Sequence, residues 1–369
     1  MSAEQQVEPM AEGGTRARAE VRTVEIPGAV LAVSGPAATG SRDGAQLPPA
    51  LFVHGLGGSS DNWTELMDEL SDLVSGEAVD LPGFGRSAPP ADGNLSLSGH
   101  VRAVIGYLEA SGRGPVHLFG NSLGGAVAVR LAALRPDLVL SLTLISPALP
   151  ELPPQRTAWP TGLLAVPGVP ALMRRMPANG RSVEDATEGL LRLVYGDVAA
   201  VPAERRAAAV AEYRRRTGLP YAMQVMVGSA RGIVSAYTER GEQSLWRQAE
   251  QVRVPVLLVY GLKDKLVSYR SARRACAAFA DARLLVLPES GHVAMMEYPA
   301  QVARAARELL AELSAGPAAR PEDRSGAPAE ASAETPAEKP AVAERPAVAG
   351  TATPAVAETV DGGAGSVGD

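Results

Sequence analysis

Between about Val21 and Ser314, short apolar runs alternate with longer stretches in which apolar residues recur every three or four positions. The runs ALFVHG from Ala50 to Gly55, PVHLFG from Pro115 to Gly120, VLSLTLIS from Val139 to Ser146 and VPVLLVYG from Val254 to Gly261 are apolar at most odd and even positions alike. A strand with one wet face would alternate strictly, so these read as strands covered on both sides. Shorter candidates lie near Glu77 to Leu81 and Arg283 to Pro288. The stretches between supply the cover. Trp63, Leu66, Met67, Leu70, Leu73 and Val74 make one apolar helix face behind Asp61 as N-cap, and Val101, Val104, Ile105 and Leu108 make another, ended by Gly112 and Gly114. The pattern predicts an α/β fold, a mostly parallel sheet flanked by helices.

The alternation stops from Pro147 to about Arg247, where the chain is first Pro-rich and then helical and Arg-rich. It resumes afterwards, so this stretch reads as a helical cap inserted into one core. The expected organisation is a disordered segment 1–20, a core in two parts over 21–146 and 248–315, a cap over 147–247, and a Pro/Ala/Glu-rich tail over 316–369. The near-repeats PAVAE, PAVAG and PAVAE give that tail frequent helix breakers and little area to bury, so it is expected to be disordered.

Charge and cysteine content narrow the function. A net charge of −6 and the lack of any basic run exclude a nucleic-acid footprint, leaving a small-molecule substrate as the expected partner. The single cysteine, Cys276, excludes an internal disulfide framework and fits a reducing, cytoplasmic compartment. No membrane span and no export signal are read from the sequence, and it is silent on oligomeric state.

The candidate chemistry centres on FGNSLGG, where a strand passes at once into a helix with Ser122 between Gly120 and Gly124. So sharp a turn strains the backbone of its tip residue and brings the two elements together, which requires residues without Cβ on either side. It leaves the serine exposed at the helix N-terminus, where free N–H groups face any developing oxyanion. A serine nucleophile needs a base, and the chain has four histidines. His117 lies inside a strand and His100 on a helix, so both read as structural; His54 reads as shaping the glycine loop after it. His292, on the loop after the last strand, is the expected general base. Asp264, after the strand ending at Gly261, is the expected acid that orients it, with Glu289 in reserve. Gly55, Gly57 and Gly58 let HGLGG turn inward, so the N–H groups of Leu56 and Leu123 are the expected oxyanion donors. Neither a metal nor an organic cofactor is required.

Four segments in this order, HGLGG, DLPGFGRS, GNSLGG and SGHVAMMEYP, resemble the α/β-hydrolase superfamily. The resemblance implies a sheet of the eight-stranded type, a cap that closes over the nucleophile, and a chiefly structural role for Asp80, Gly83, Gly85 and Ser87. Dehalogenases and epoxide hydrolases of that superfamily use an Asp nucleophile, so Ser122 points instead to a serine esterase acting through an acyl-enzyme. Asn121 is similar to the carbon–carbon bond hydrolases of ring-fission pathways, although Val293 stands where those enzymes usually carry a Trp. A ligand-binding protein on the same fold, with little turnover, is the remaining alternative. In the cap, Leu163, Leu164, Val166, Leu172, Met173, Met176, Met223, Met226 and Val227 are the candidates for an apolar lining, and Arg174, Arg175 and Arg192 for holding a carboxylate.

Overall fold

Eight strands form one sheet in this computed structural model, which describes residues 20–35, 47–151, 155, 166 and 182–314. They are β1 (Glu20–Ile26), β2 (Ala29–Gly35), β3 (Pro49–Val53), β4 (Ser75–Val79), β5 (Val116–Asn121), β6 (Val139–Ile145), β7 (Val256–Gly261) and β8 (Ala282–Leu287). Their order across the sheet is β1-β2-β4-β3-β5-β6-β7-β8. From β4 to β8 every pairing is parallel, while β1 and β2 form an antiparallel hairpin and β2 runs antiparallel to β4. The hairpin turns at Pro27-Gly28, with Gly28 at φ 82. Glu20, expected outside the core, already begins β1.

The central strands β3 and β5 are buried almost throughout, as their unbroken apolar sequence predicts. The edge strand β8 is not. Leu284 and Val286 face outward on its open side, because an edge strand needs no cover on both faces. The strand expected near Glu77 to Leu81 begins two residues earlier and ends at Val79, and the Leu81 N–H is donated instead to His54 Nε2 at 2.9 Å.

The α-helices among the described residues are α1 (Thr64–Leu70), α2 (Leu97–Ser111), α3 (Leu123–Leu134), α4 (Val183–Val194), α5 (Ala203–Thr217), α6 (Ala222–Thr238), α7 (Leu245–Gln251), α8 (Ala272–Ala278), α9 (Ala294–Glu297) and α10 (Pro299–Ser314). The apolar faces of α2, α3, α7 and α8 pack on one side of the sheet, and α1, α9 and α10 on the other. Leu66 and Leu70 of α1 are fully buried, each stabilising the fold by about 2 kcal/mol. A 3₁₀ turn over Ser60–Trp63 precedes α1, so Ser59 rather than Asp61 bounds the helical segment. Asp61 faces solvent and pairs with Arg86.

Between β6 and β7 the described residues contain helices only, α4 to α7. Leu191 and Tyr195 of the α4 region join the core cluster that holds α10; Val225 and Ala236 of α6 join the cluster that holds α2 and α3. The expected disordered tail over 316–369 and most of segment 1–20 lie outside the described residues, as do Leu163, Leu164, Leu172, Met173, Met176, Arg174 and Arg175 of the cap. No helix among the described residues is long and apolar enough to cross a membrane.

Candidate active site

The junction of β5 and α3 is as tight as its glycines require. A Cβ on Gly124 would collide with the carbonyl oxygen of Val53, and one on Gly120 would stand 2.5 Å from the carbonyl oxygen of Gly124. Ser122, at the tip, has φ 52, in the region that side chains disfavour. Three backbone hydrogen bonds hold it there: its N–H donates to the Ile145 carbonyl at 3.1 Å, and its own carbonyl accepts from Ala126 at 3.1 Å and Ala148 at 2.9 Å. Every other residue from Val116 to Ala132 is buried, so Ser122 alone breaks the surface along this strand, turn and helix.

The first glycine loop faces that tip. Gly58 N–H closes a turn on the Gly55 carbonyl at 3.0 Å, with Gly57 at φ 74 in its third position, as a type II turn requires. A Cβ on Gly55 would lie 3.1 Å from Ser122 Cβ. Leu56 occupies the second position of the turn and Leu123 opens α3; the turn and the helix leave both N–H groups unused, and neither donates to an acceptor among the described residues. His54 sets the loop's direction. Its Nε2 accepts from Leu81 N–H, so the ring proton sits on Nδ1, which donates to the Gly55 carbonyl at 2.7 Å. Both nitrogens are thereby occupied, and complete burial lowers the pKa of the ring. The neighbouring DLPGFGRS loop is a hydrogen-bonded scaffold: Asp80 accepts from Ser60 and Arg86 N–H groups, and Ser87 Oγ donates to the Asp80 carbonyl.

His292 and Asp264 meet where the loops after β8 and β7 come together. His292 Nδ1 is 2.9 Å from Asp264 Oδ2, and both side chains are buried. The other oxygen, Asp264 Oδ1, accepts from the N–H groups of Leu266 at 2.8 Å and Val267 at 3.0 Å. Burial by itself would raise the Asp264 carboxyl, but the facing imidazole and the two N–H donors outweigh it and hold the group below the usual carboxylate range. Glu289, the reserve candidate, is exposed and paired with Lys263. The remaining histidines are structural: His117 Nδ1 meets Ser141 Oγ at 2.8 Å and His100 Nε2 meets Ser229 Oγ at 2.9 Å.

Asn121 joins the two halves of this arrangement. Its Nδ2 donates to the Ile145 carbonyl at 3.1 Å and to the His292 carbonyl at 3.0 Å. The residue before the serine is thus strapped to the backbone of the histidine.

Two contributors were invisible in the sequence. Glu297 accepts from Gly291 N–H at 2.8 Å and Ser290 Oγ at 3.2 Å through one oxygen, and from Gly196 N–H at 2.7 Å through the other. One carboxylate therefore ties the His292 loop to the exit of α4, where the Val194 carbonyl also accepts from His292 N–H at 2.7 Å. Burial lifts the Glu297 carboxyl above its ordinary range against the pull of those donors. The second is Arg216 of α5, whose Nη1 donates to the Gly57 carbonyl on the first glycine loop. A Cβ on Gly57 would stand 3.0 Å from that Nη1 and 2.8 Å from Met226 Cε. Of the expected cap residues, Met226 therefore reaches the loop. Met223 and Val166 face solvent, Val227 is buried, and Arg192 is an exposed partner of Glu188.

Comparison with known proteins agrees with this architecture. A sequence profile of the alpha/beta hydrolase fold matches residues 48–299. Two dihydrolipoyllysine-residue acetyltransferase components of acetoin cleaving systems are similar to the chain. The one from Cupriavidus necator is 39% identical over 107 residues, 29% of this chain, and the one from Pseudomonas putida is 30% identical over 256 residues, 69% of this chain. The chain spans 28% and 61% of their respective lengths. The bovine (Bos taurus) monoacylglycerol lipase ABHD6 is 24% identical over 288 residues, covering 72% of this chain and 76% of that protein. Among solved structures, a putative lipase from Acinetobacter baumannii superposes with a TM-score of 0.65 at 19% identity, covering 80% of this chain and 92% of that one, a likeness of fold. The extent of the profile match and the shared sheet architecture place the chain in the α/β-hydrolase fold family.

Proposed function

We propose that this chain is a serine hydrolase that cleaves a small ester through an acyl-enzyme, with Ser122 as nucleophile, His292 as general base and Asp264 as the orienting acid. The observation that carries the reading is the hydrogen-bonded His292–Asp264 pair, whose loop Asn121 ties to the residue before the half-buried tip at Ser122. With Asp264 ionised and held by two backbone N–H groups, the imidazole keeps its proton on Nδ1 and presents a basic Nε2.

Ser122 Oγ attacks the ester carbonyl carbon as its proton passes to His292 Nε2. The carbonyl oxygen becomes an oxyanion, stabilised by the N–H groups of Leu56 and Leu123 and the positive end of α3. The tetrahedral intermediate collapses, the C–O bond to the alcohol breaks, and His292 returns the proton to the departing alkoxide. Water, deprotonated by the same nitrogen, then attacks the acyl-enzyme and releases the acid and free Ser122. Met226 of α6, beside Gly57, is assigned to the substrate pocket.

Ring-fission chemistry rested on Asn121, and its two bonds to the Ile145 and His292 carbonyls supply a reason for that residue independent of substrate. Turnover of short p-nitrophenyl esters tests the proposal. Ser122→Ala is expected to abolish it, and unchanged turnover in that variant would overturn the assignment.

A further inference from the structure

Helix α5 carries five arginines. Four have carboxylate partners: Arg205 with Glu65, Arg206 with Glu188, Arg214 with Glu184, and Arg215 with Glu212. The fifth, Arg216, forms no ion pair among the described residues. Glu212, one turn earlier on the same helix, is engaged through both oxygens by Arg215 at 2.7 Å. The stretch 152–181, which lies almost wholly outside the described residues, contains no Asp or Glu and adds four further arginines. The guanidinium is half-buried; burial lowers its pKa more than the nearby Glu212 charge raises it, and it lies within cation–π range of the Tyr213 ring at 5.5 Å.

Its position gives this charge a use. The guanidinium rests on the Gly57 carbonyl, one residue from the Leu56 N–H assigned to the oxyanion, and only Nη1 is spent there. Removing a cation from water without an anion is costly, and a fold stabilised by four neighbouring pairs had the means to pair the fifth. A guanidinium is always charged and presents a planar fork that matches a carboxylate.

We propose that Arg216 is a substrate-binding residue that completes its ion pair with a carboxylate carried by the ester, so that the substrate is an acidic ester with an apolar body rather than a wholly neutral one. The inference rests on the ester-hydrolase reading and narrows it.

The test compares two acidic esters with their neutral methyl esters. The p-nitrophenyl half-ester of adipic acid places the carboxylate on the acyl side, and the acetyl ester of 4-hydroxybenzoate places it on the alcohol side. The wild-type enzyme is expected to favour one acidic ester over its methyl ester by roughly tenfold or more in kcat/KM, the size of one charge-assisted contact. Arg216→Gln should erase that preference by lowering kcat/KM for the acidic ester more than for its methyl ester, whatever common loss the freed Gly57 loop causes, and Arg216→Lys should keep part of it. Equal losses for acidic and neutral esters would show that Arg216 only holds the Gly57 loop, and would overturn the proposal, as would the lack of any wild-type preference. Calorimetric binding of the same four compounds to Ser122→Ala separates the two readings. Tighter binding of an acidic ester without Ser122-dependent turnover in the wild type would sink the hydrolase assignment and leave the anion site standing; turnover without any preference would do the reverse.

Discussion

The Asp264→Asn substitution isolates what the carboxylate does. Asn is isosteric, but its two ends are no longer equivalent, and the surroundings choose between them. The position of Oδ1 faces two N–H donors, Leu266 and Val267. An NH₂ group there would oppose both, so the amide carbonyl must take that place and the NH₂ must point at His292 Nδ1. Nδ1 then has to accept, which moves the ring proton to Nε2, the atom required to take the proton of Ser122. The base is thus blocked by a tautomer rather than by a displaced side chain. The stabilisation of the imidazolium by a negative charge disappears as well. A drop in kcat of about 10⁴, or about 5 kcal/mol of barrier, is expected with little change in KM. Stability should change by only about 1 kcal/mol, since both backbone N–H groups keep their acceptor. Steady-state kinetics on p-nitrophenyl esters, with urea unfolding of the same preparation, read both quantities. A variant that retains kcat within tenfold of wild type would refute the argument, and one that is inactive because it is unfolded would show that Asp264 acts on the fold rather than on the proton.

Other residues give independent checks. Gly124→Ala drives a methyl group into the Val53 carbonyl, and should cost about 3 kcal/mol in urea unfolding; a loss below about 0.5 kcal/mol would contradict the close approach of α3 to β3. His117 and His100 are held by burial at pKa values of about 4 and about 3. Below the ordinary value near 6.5 the unfolded chain takes up protons that the native state refuses, so stability should fall from pH 6.5 to pH 4 by on the order of 3 kcal/mol for each. His117→Gln should flatten that slope, and an unaltered slope would exclude His117 as a source. Asn121→Ala removes the strap to the His292 carbonyl and should lower kcat by roughly tenfold with KM nearly constant, since the loop that carries the base loses one of its few cross-links; unchanged kcat would show that the remaining contacts suffice.

The fold was legible where strands are covered on both sides, because burial itself writes the unbroken apolar runs of β3, β5, β6 and β7. It was less legible at the edges. β1 reads EVRTVEI and is mostly exposed, so it has neither an apolar run nor a helical period. β8 is apolar yet partly bare, and only the sheet order reveals that it ends the sheet. Ser122 announced itself through Gly120 and Gly124, since steric demand within a turn is local and leaves a local trace. Arg216 and Glu297 did not. The Gly57 carbonyl lies 159 residues from Arg216, and the Gly196 N–H that makes Glu297 a tie to α4 lies 101 residues from it; both are backbone groups. A side chain that serves a distant carbonyl or N–H leaves no pattern beside itself. Asn121 shows the converse, a conspicuous residue with a local appearance that suggests chemistry and an amide that also spans 171 residues to the His292 carbonyl.

Those distant bonds have a common consequence. Each part of the proposed machinery is fastened to the cap helices at the backbone: the Gly57 carbonyl by Arg216 of α5, the Gly85 carbonyl of the DLPGFGRS loop by Arg215 at 2.7 Å, and the His292 N–H by the Val194 carbonyl at the end of α4. Glu297 adds a fourth tie through Gly196. The ties of α5 hold the glycine loop and those of α4 hold the His292 loop, so each helix bears on one part of the proposed machinery. A substrate that pulls on Arg216 pulls on Gly57, and with it on the turn that aims the Leu56 N–H. If Arg216 holds a substrate carboxylate as proposed, recognition beside α5 and alignment of the Leu56 N–H are linked through Gly57, and a substrate lacking that group is expected to lose kcat as well as affinity.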